Sequence, residues 1–148
     1  GSIKSNIVYG APNTSDADII KVAEVAGVKE FVDRHPLGFD RAVGERGQAL
    51  SGGQRQSIGV ARALLGEPKM CLLDEPTSGM DNSTESLVKK NLSGALKNST
   101  VILVTHKMSL LTLVDRVIVL DGGKLIADGQ KESIIDALKK GQLRVTQP

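Results

Sequence analysis

The sequence predicts an α/β protein with a helical first half and a second half in which strands and helices alternate. Three observations carry this. Residues 1–66 show helical patterning and no strand-like run. Short apolar runs near 70, 101 and 117 are separated by helix-like segments, the pattern of a mostly parallel sheet with crossover helices. Glycines cluster at 44–53, 79 and 122–129 instead of forming a linker, which marks backbone turns or close approaches.

The elements follow in order. Thr14-Ser15-Asp16 stands ahead of Ile19, Ile20, Ala23 and Ala26, so the spacing predicts a capped helix over 16–26, closed by Gly27. A short helix over 28–34 stops before His35-Pro36, because the residue ahead of a proline avoids helical geometry. Residues 37–50 read as loop. Ser51 suits an N-cap for a helix over 54–65, stopped by Gly66 with Pro68 beyond. Residues 70–73 form a buried strand with acids at its end, 83–97 a helix starting at Asn82 or Ser83, and 101–105 a second buried strand. A short helix covers 108–113. The runs 117–120 and 124–127 flank Asp121-Gly122-Gly123, a hairpin signal. A final amphipathic helix over 130–140 closes at Gly141. The asymmetry suggests a helical lobe, 1–66, and part of an α/β lobe, 67–148.

Composition excludes several classes. A chain of 148 residues is one domain's worth and buries a real core. Strictly apolar runs such as 101–104 and 117–120 reach no more than four residues, far too short to span a bilayer. A formal charge of +2 and only three aromatic residues (Tyr9, Phe31 and Phe39) argue against nucleic acid as a partner, which calls for a basic face and stacking rings. The lone Cys71 rules out a disulfide framework. It lies inside an apolar strand and reads as a small core hydrophobe.

Three motifs carry chemistry. In Leu50-Ser51-Gly52-Gly53-Gln54, a serine and two glycines open a helix whose first N–H groups have no carbonyl partner. With the helix dipole, that end suits a phosphate, and Ser51 and Gln54 add hydrogen bonds. An ordinary capped helix after a loop is the competing reading. In Met70-Cys71-Leu72-Leu73-Asp74-Glu75, an apolar strand delivers two carboxylates to the C-terminal edge of a parallel sheet. One can hold Mg²⁺ through its water shell, and the next can orient or deprotonate a water. Two acids in a post-strand turn are the plainer alternative. In Val101-Ile102-Leu103-Val104-Thr105-His106, the histidine follows a buried strand toward the same edge, although most such histidines are structural or solvated. His35 has no comparable placement.

The order of these motifs resembles the nucleotide-binding domain of an ABC transporter over essentially the whole chain. Residues 50–54, continuing through Arg55-Gln56 and Ala61-Arg62-Ala63-Leu64-Leu65, resemble the family signature. Asp74 resembles the Walker B aspartate, Glu75 the catalytic glutamate and His106 the H-switch histidine. Ser78-Gly79-Met80-Asp81 resembles the D-loop, with Gly-Met in place of the usual Ala-Leu. Val43-Gly44-Glu45-Arg46-Gly47 resembles the loop that exporters press against their membrane domains. Gly1-Ser2-Ile3 and Asn6-Ile7 resemble the segment soon after the Q-loop, so Gly1-Ser2 is expected to be native sequence. His35-Pro36-Leu37-Gly38-Phe39-Asp40, Pro76-Thr77-Ser78 with Met80-Asp81-Asn82, and Leu113-Val114-Asp115-Arg116 resemble type I secretion exporters, which move unfolded proteins out of Gram-negative bacteria.

The resemblance implies a partial P-loop NTPase (RecA-like) sheet with crossover helices, 67–148, plus the ABC helical subdomain, 1–66, which holds the coupling loop and the signature. The phosphate cradle G-x-x-x-x-G-K-[ST] does not occur in the chain, and Gly122-Gly123-Lys124 is no substitute. The expectation is therefore the C-terminal part of an ATPase, inactive alone, with the cradle strand missing between the 101 and 117 strands and apolar strand faces exposed. ATP and Mg²⁺ are the implied cofactors. Leu50, Ser51, Gly52, Gly53 and Gln54 would meet a nucleotide held by a second nucleotide-binding domain, a homodimer in the simplest case, and Asp81 would relay between the paired sites. Asp74 would hold the metal, while Glu75 and His106 would be catalytic. Further implied partners are a transmembrane domain through the loop around Glu45, a periplasmic adaptor and an outer-membrane channel. The implied place is the cytoplasmic face of the bacterial inner membrane. Two other functions compete. A non-transport ATPase of the superfamily would separate its halves with long coiled coils, yet Leu50 and Asp74 lie 24 positions apart with no heptad run. A truncated module that only pairs or regulates would have little reason to keep Asp74, Glu75 and His106 together.

Overall fold

The computed structural model describes residues 1–143, and the chain divides into two compact units at His106/Lys107. The last five residues of the expected 67–148 lobe lie outside the described residues. The expected 66/67 boundary falls within the first unit.

The first unit opens on α1 (Ile3–Ile7), which the apolar pattern does not announce. One turn suffices because Ser2 and Ser5 form a capping box and Ile3 and Ile7, four apart, are both fully buried. Helix α2 (Asp16–Val25) starts at Ser15, whose hydroxyl accepts from the Asp18 N–H at 3.1 Å, and buries Ile19, Val22 and Ala23. The short α3 (Lys29–Val32) occupies part of the expected 28–34 helix. Residues 37–50 are not wholly irregular: they contain two 3-10 turns, Gly38–Asp40 and Glu45–Gly47. Helix α4 (Gly52–Leu64) packs against both α1 and α2 and buries Gly53, Ser57, Ile58, Val60, Ala61 and Leu64. Arg62 ties α4 to α1, donating from Nε to the Asn6 carbonyl at 2.7 Å while lying 5.6 Å from the centre of the Tyr9 ring.

Strand β1 (Met70–Asp74), helix α5 (Asn82–Ala95) and strand β2 (Thr100–Val104) form the crossover that the sequence predicts. The strands pair in parallel, Met70 with Thr100 through Asp74 with Val104. Alternation turns Cys71 and Leu73 into the core, as expected for Cys71, and burial pushes its thiol pKa up.

In the second unit, residues Met108–Leu113 form the expected short helix, of the 3-10 kind. Strands β3 (Arg116–Asp121) and β4 (Lys124–Gln130) make the expected antiparallel hairpin. Gly122 and Gly123 both have positive φ, 54° and 72°, as the tight hairpin turn requires. Arg116 braces it with a bidentate pair to Asp128, 2.7 and 2.6 Å. Helix α6 (Lys131–Lys139) comes next and buries Ile134. Among the described residues neither strand pair gains a third strand, so the parallel order expected for the second half is present in β1–α5–β2 alone.

The other face of the β1–β2 pair is bare. Met70 and Leu72 are 63% and 66% exposed, and Ile102 and Val104 beside them 49% and 53%. Burying one such side chain contributes about 1.5–3 kcal/mol, so this face invites association. A polypeptide of these 148 residues alone is expected to elute from size exclusion as aggregate. Leu72→Lys combined with Ile102→Lys should raise its soluble yield. A monodisperse parent monomer with cooperative unfolding would overturn this.

Candidate functional site

The N-terminal end of α4 is built by a reciprocal cap. Ser51 Oγ accepts from the Gln54 N–H at 3.2 Å, and Gln54 Oε1 accepts from the Ser51 N–H at 3.1 Å. Both acceptors are thus turned inward. What remains to face a ligand are donors: the Ser51 hydroxyl hydrogen, the Gln54 amide hydrogens and the first helical N–H groups. The capped helix, one of the two readings from the sequence, is present, and its cap leaves donors at this end. Leu50 is buried, and its carbonyl accepts from Arg55 at 2.7 Å, so its side chain packs rather than faces a ligand.

This end lies against the loop that precedes α5. Ser51, Gly53 and Gln54 share a groove of about 180 Å³ with Gly79, Met80 and Asp81. That is smaller than the roughly 300–1,000 Å³ of pockets that enclose a whole ligand, so the groove fits part of one. Its floor is backbone on backbone. A Cβ on Gly53 would stand 2.5 Å from the Gly79 carbonyl oxygen, and Gly79 itself has a φ of 70°. Asp81 is the N-cap of α5, accepting from the N–H groups of Ser83 and Thr84 at 3.0 Å each and from both hydroxyls. Those bonds, the Ser83 hydroxyl first, hold its carboxyl far below the usual carboxylate range.

A second cluster forms where β1 and β2 end. Asp74 is exposed at the end of β1. At Glu75 the chain turns sharply, with a φ of 42° that a side-chain-bearing residue seldom adopts. Its N–H prolongs the ladder, donating to the Val104 carbonyl at 2.9 Å. Its carboxylate accepts from the His106 N–H at 2.8 Å and the Thr105 hydroxyl at 3.2 Å, and meets His106 Nδ1 at 2.7 Å. Facing a carboxylate oxygen, Nδ1 is the nitrogen that carries hydrogen, which leaves Nε2 free. Behind Glu75, the Gln56 amide donates to the carbonyls of Glu75 at 2.9 Å and Asp74 at 3.3 Å. His35 lies in neither cluster; its Nδ1 accepts from the Leu37 N–H.

The structure thus joins Glu75 with His106, and Ser51, Gly53 and Gln54 with Asp81. Sequence reasoning singled out neither Thr105 nor Gln56 for a role at the site. Gln56 had a usable signal: it lies three residues after Gly53 and four before Val60, on the flank of α4 that packs inward. The Val43–Gly47 stretch is held by its own backbone, with the Ala49 N–H on the Val43 carbonyl at 3.0 Å, while Glu45 and Arg46 stay exposed. Among the described residues no group of three or more His, Cys, Asp or Glu could hold a metal, and no helix is long and apolar enough to cross a membrane.

The family model for ABC transporters matches residues 3–78, which include the signature, Asp74 and Glu75. The chain belongs to the ABC transporter family. It is 38% identical over 136 residues to the cyclolysin secretion/processing ATP-binding protein CyaB of Bordetella pertussis, covering 92% of this chain and 19% of that protein. It is 42% identical over 134 residues to a multidrug efflux ATP-binding/permease protein of Mycobacterium bovis, covering 90% of this chain and 11% of the relative. The structure of a bacterial Atm1-family ABC exporter with ATP bound superposes with a TM-score of 0.83 at 34% identity, covering 91% of this chain and 24% of that one. The α/β fold with small sheets is therefore that of an ABC ATPase domain fragment. The chain spans a quarter or less of the length of these relatives.

The Asp81 cap makes a pH prediction. Its folded pKa is depressed, so its contribution to stability is full above the unfolded carboxyl value, 3.8, and is lost as pH falls through the folded value. Asp81→Asn keeps an acceptor for the α5 N–H groups but does not titrate. The variant should have a lower thermal midpoint than the parent near pH 7, and the difference between the two should shrink below about pH 4. Parallel midpoint-versus-pH curves for the two would count against the cap.

Proposed function

We propose that this chain is the C-terminal part of the ATP-hydrolysing domain of an ABC exporter, with a helical subdomain at 1–66 and a RecA-like part at 67–148. The observation that carries the reading is the parallel pairing of β1 with β2, which holds the Glu75 carboxylate beside His106. ATP, when bound with Mg²⁺, supplies the phosphoryl group that passes to water and the negative charge that the donors of this chain meet. The residues fit such a group because the α4 end offers donors with its acceptors turned inward. Ser51, Gly53 and Gln54 would bind phosphate oxygens of a nucleotide held by a second copy, since no phosphate cradle occurs in these 148 residues. Asp74 would hold the metal through its waters. Glu75 would orient the attacking water and take its proton. His106, held by Glu75 through Nδ1, would contact phosphate once released from that pair. Asp81 would align the loop that joins the paired sites. Glu45 and Arg46, exposed on a held loop, would meet the transmembrane domain at the cytoplasmic face of the membrane. The 148 residues alone would not hydrolyse ATP.

Within the exporters, type I protein secretion is favoured by the 35–40, 76–82 and 113–116 segments and by 38% identity to the cyclolysin secretion protein. This would bring a periplasmic adaptor and an outer-membrane channel as partners. Multidrug export is the second reading, favoured by the 42% identical efflux protein. In membranes holding the full-length transporter, stimulation of ATPase activity by an unfolded secreted polypeptide supports the first, and stimulation by hydrophobic drugs the second.

Two variants of the full-length transporter test the site. Glu75→Gln should lower hydrolysis by about 10²–10⁴-fold while ATP binding persists; normal turnover would remove Glu75 from its role. Ser51→Arg should abolish turnover through bulk where the partner's nucleotide approaches, leaving nucleotide binding to each copy intact. Unchanged turnover would sink the assignment of the α4 end.

A further inference from the structure

We infer that Gln56 is a positioning residue for Glu75, coupling the placement of α4 to the orientation of the reacting carboxylate. This rests on the reading of Glu75 as the group that acts on water. Glu75 holds a left-handed backbone conformation, and such conformations persist only where the surroundings over-determine them. The side chain is fixed from one side by Thr105 and His106. The backbone is fixed from the other. The half-buried Gln56 amide donates to two successive carbonyls, those of Asp74 and Glu75, and the Ser78 N–H shares the second at 3.0 Å. Gln56 is the residue of α4 that makes these bonds, and it stands two positions after Gln54 and three after Gly53. A shift or rotation at the donor end of α4 is thereby passed to the backbone that aims the Glu75 carboxylate. Two N–H donors on one flexible stem are what this task needs, because a single donor could not span both carbonyls.

The test is steady-state ATP hydrolysis by the full-length transporter. Gln56→Leu removes the donors at similar volume. Gln56→Glu is isosteric, and when ionised it accepts only. Both should lower kcat about 10- to 100-fold, the scale of loss from a misplaced catalytic group, with KM for ATP within about twofold of the parent. Gln56→Lys should return to within about fivefold of the parent, since its ammonium offers three donors. Added to Glu75→Gln, Gln56→Leu should cost less than about twofold further, because effects of groups that act as a unit do not add. A merely structural role would instead lower the amount of active protein and multiply through the double variant. If Glu75→Gln hydrolyses ATP normally, the Glu75 reading falls and this inference with it. If Glu75→Gln is inactive but Gln56→Leu and Gln56→Glu keep the parental kcat, or the losses multiply, the role of Gln56 alone is overturned.

Discussion

Parallel strands cannot be joined by a tight turn, so the pairing of β1 with β2 depends on the crossover through α5 and on an unbroken five-residue register. Side chains alternate along each strand, and a slip of one position would carry Cys71 and Leu73 to the solvent face. The same register sets which residues meet beyond the strand ends. Glu75 comes after β1, and Thr105 and His106 after β2, so the ladder delivers them side by side. The Glu75 N–H adds one more rung before the chain turns. A turn of that kind at a residue with a side chain costs on the order of 1–3 kcal/mol, and the contacts around Glu75 offset it. Core packing, strand register and the candidate chemistry are thus one constraint at three scales.

Helix α4 meets this constraint from outside the sheet. Its first turn presents donors, its second reaches the Glu75 backbone through Gln56, and its far end is tied by Arg62 to α1. The loop before α5 closes against the first turn, and Asp81 fixes where α5 begins. Charge on Asp81 is used locally: both oxygens accept from the helix that it caps. Any longer-range role for Asp81 therefore acts through the position of the loop.

The elements with strong punctuation were legible. Ser15, Ser51 and the Gly122-Gly123 pair each mark a start or turn through a local hydrogen-bond or dihedral requirement, and the structure has α2, α4 and the hairpin there. That Glu75 and His106 reach the same sheet edge was legible too, because both come after apolar runs of similar length; the direct contact between them was not. Helix α1 was not, since a single turn has no period to read and is held by Ser5 and by buried contacts to distant residues. The short helix at Met108–Leu113 was legible as a helix but not as a 3-10 one, since its apolar spacing suits either form. The spacing of Gln56 from Gly53 and Val60 marks it as inward-facing, but its partners are backbone carbonyls, which carry no sequence signature. Residue types alone allowed Ser51 to be read as a cap or as a ligand end, since the two uses differ only in which side-chain atoms remain outward; the structure has the cap.

The contact between Gly53 and Gly79 restricts how this part of the chain can diverge, and it does so unevenly. On the helix side, a methyl group would land inside the van der Waals radius of a backbone carbonyl that is itself held in the loop, and neither partner can step aside. On the loop side, the nearest atom to a new Cβ is 3.1 Å away, so a displacement of a few tenths of an ångström would admit alanine at the cost of its positive φ. Mutational paths through this pair are therefore one-way streets. Descendants can explore the loop position while the helix glycine stays, and a lineage that first lost the helix glycine would have to rebuild the loop to recover the groove.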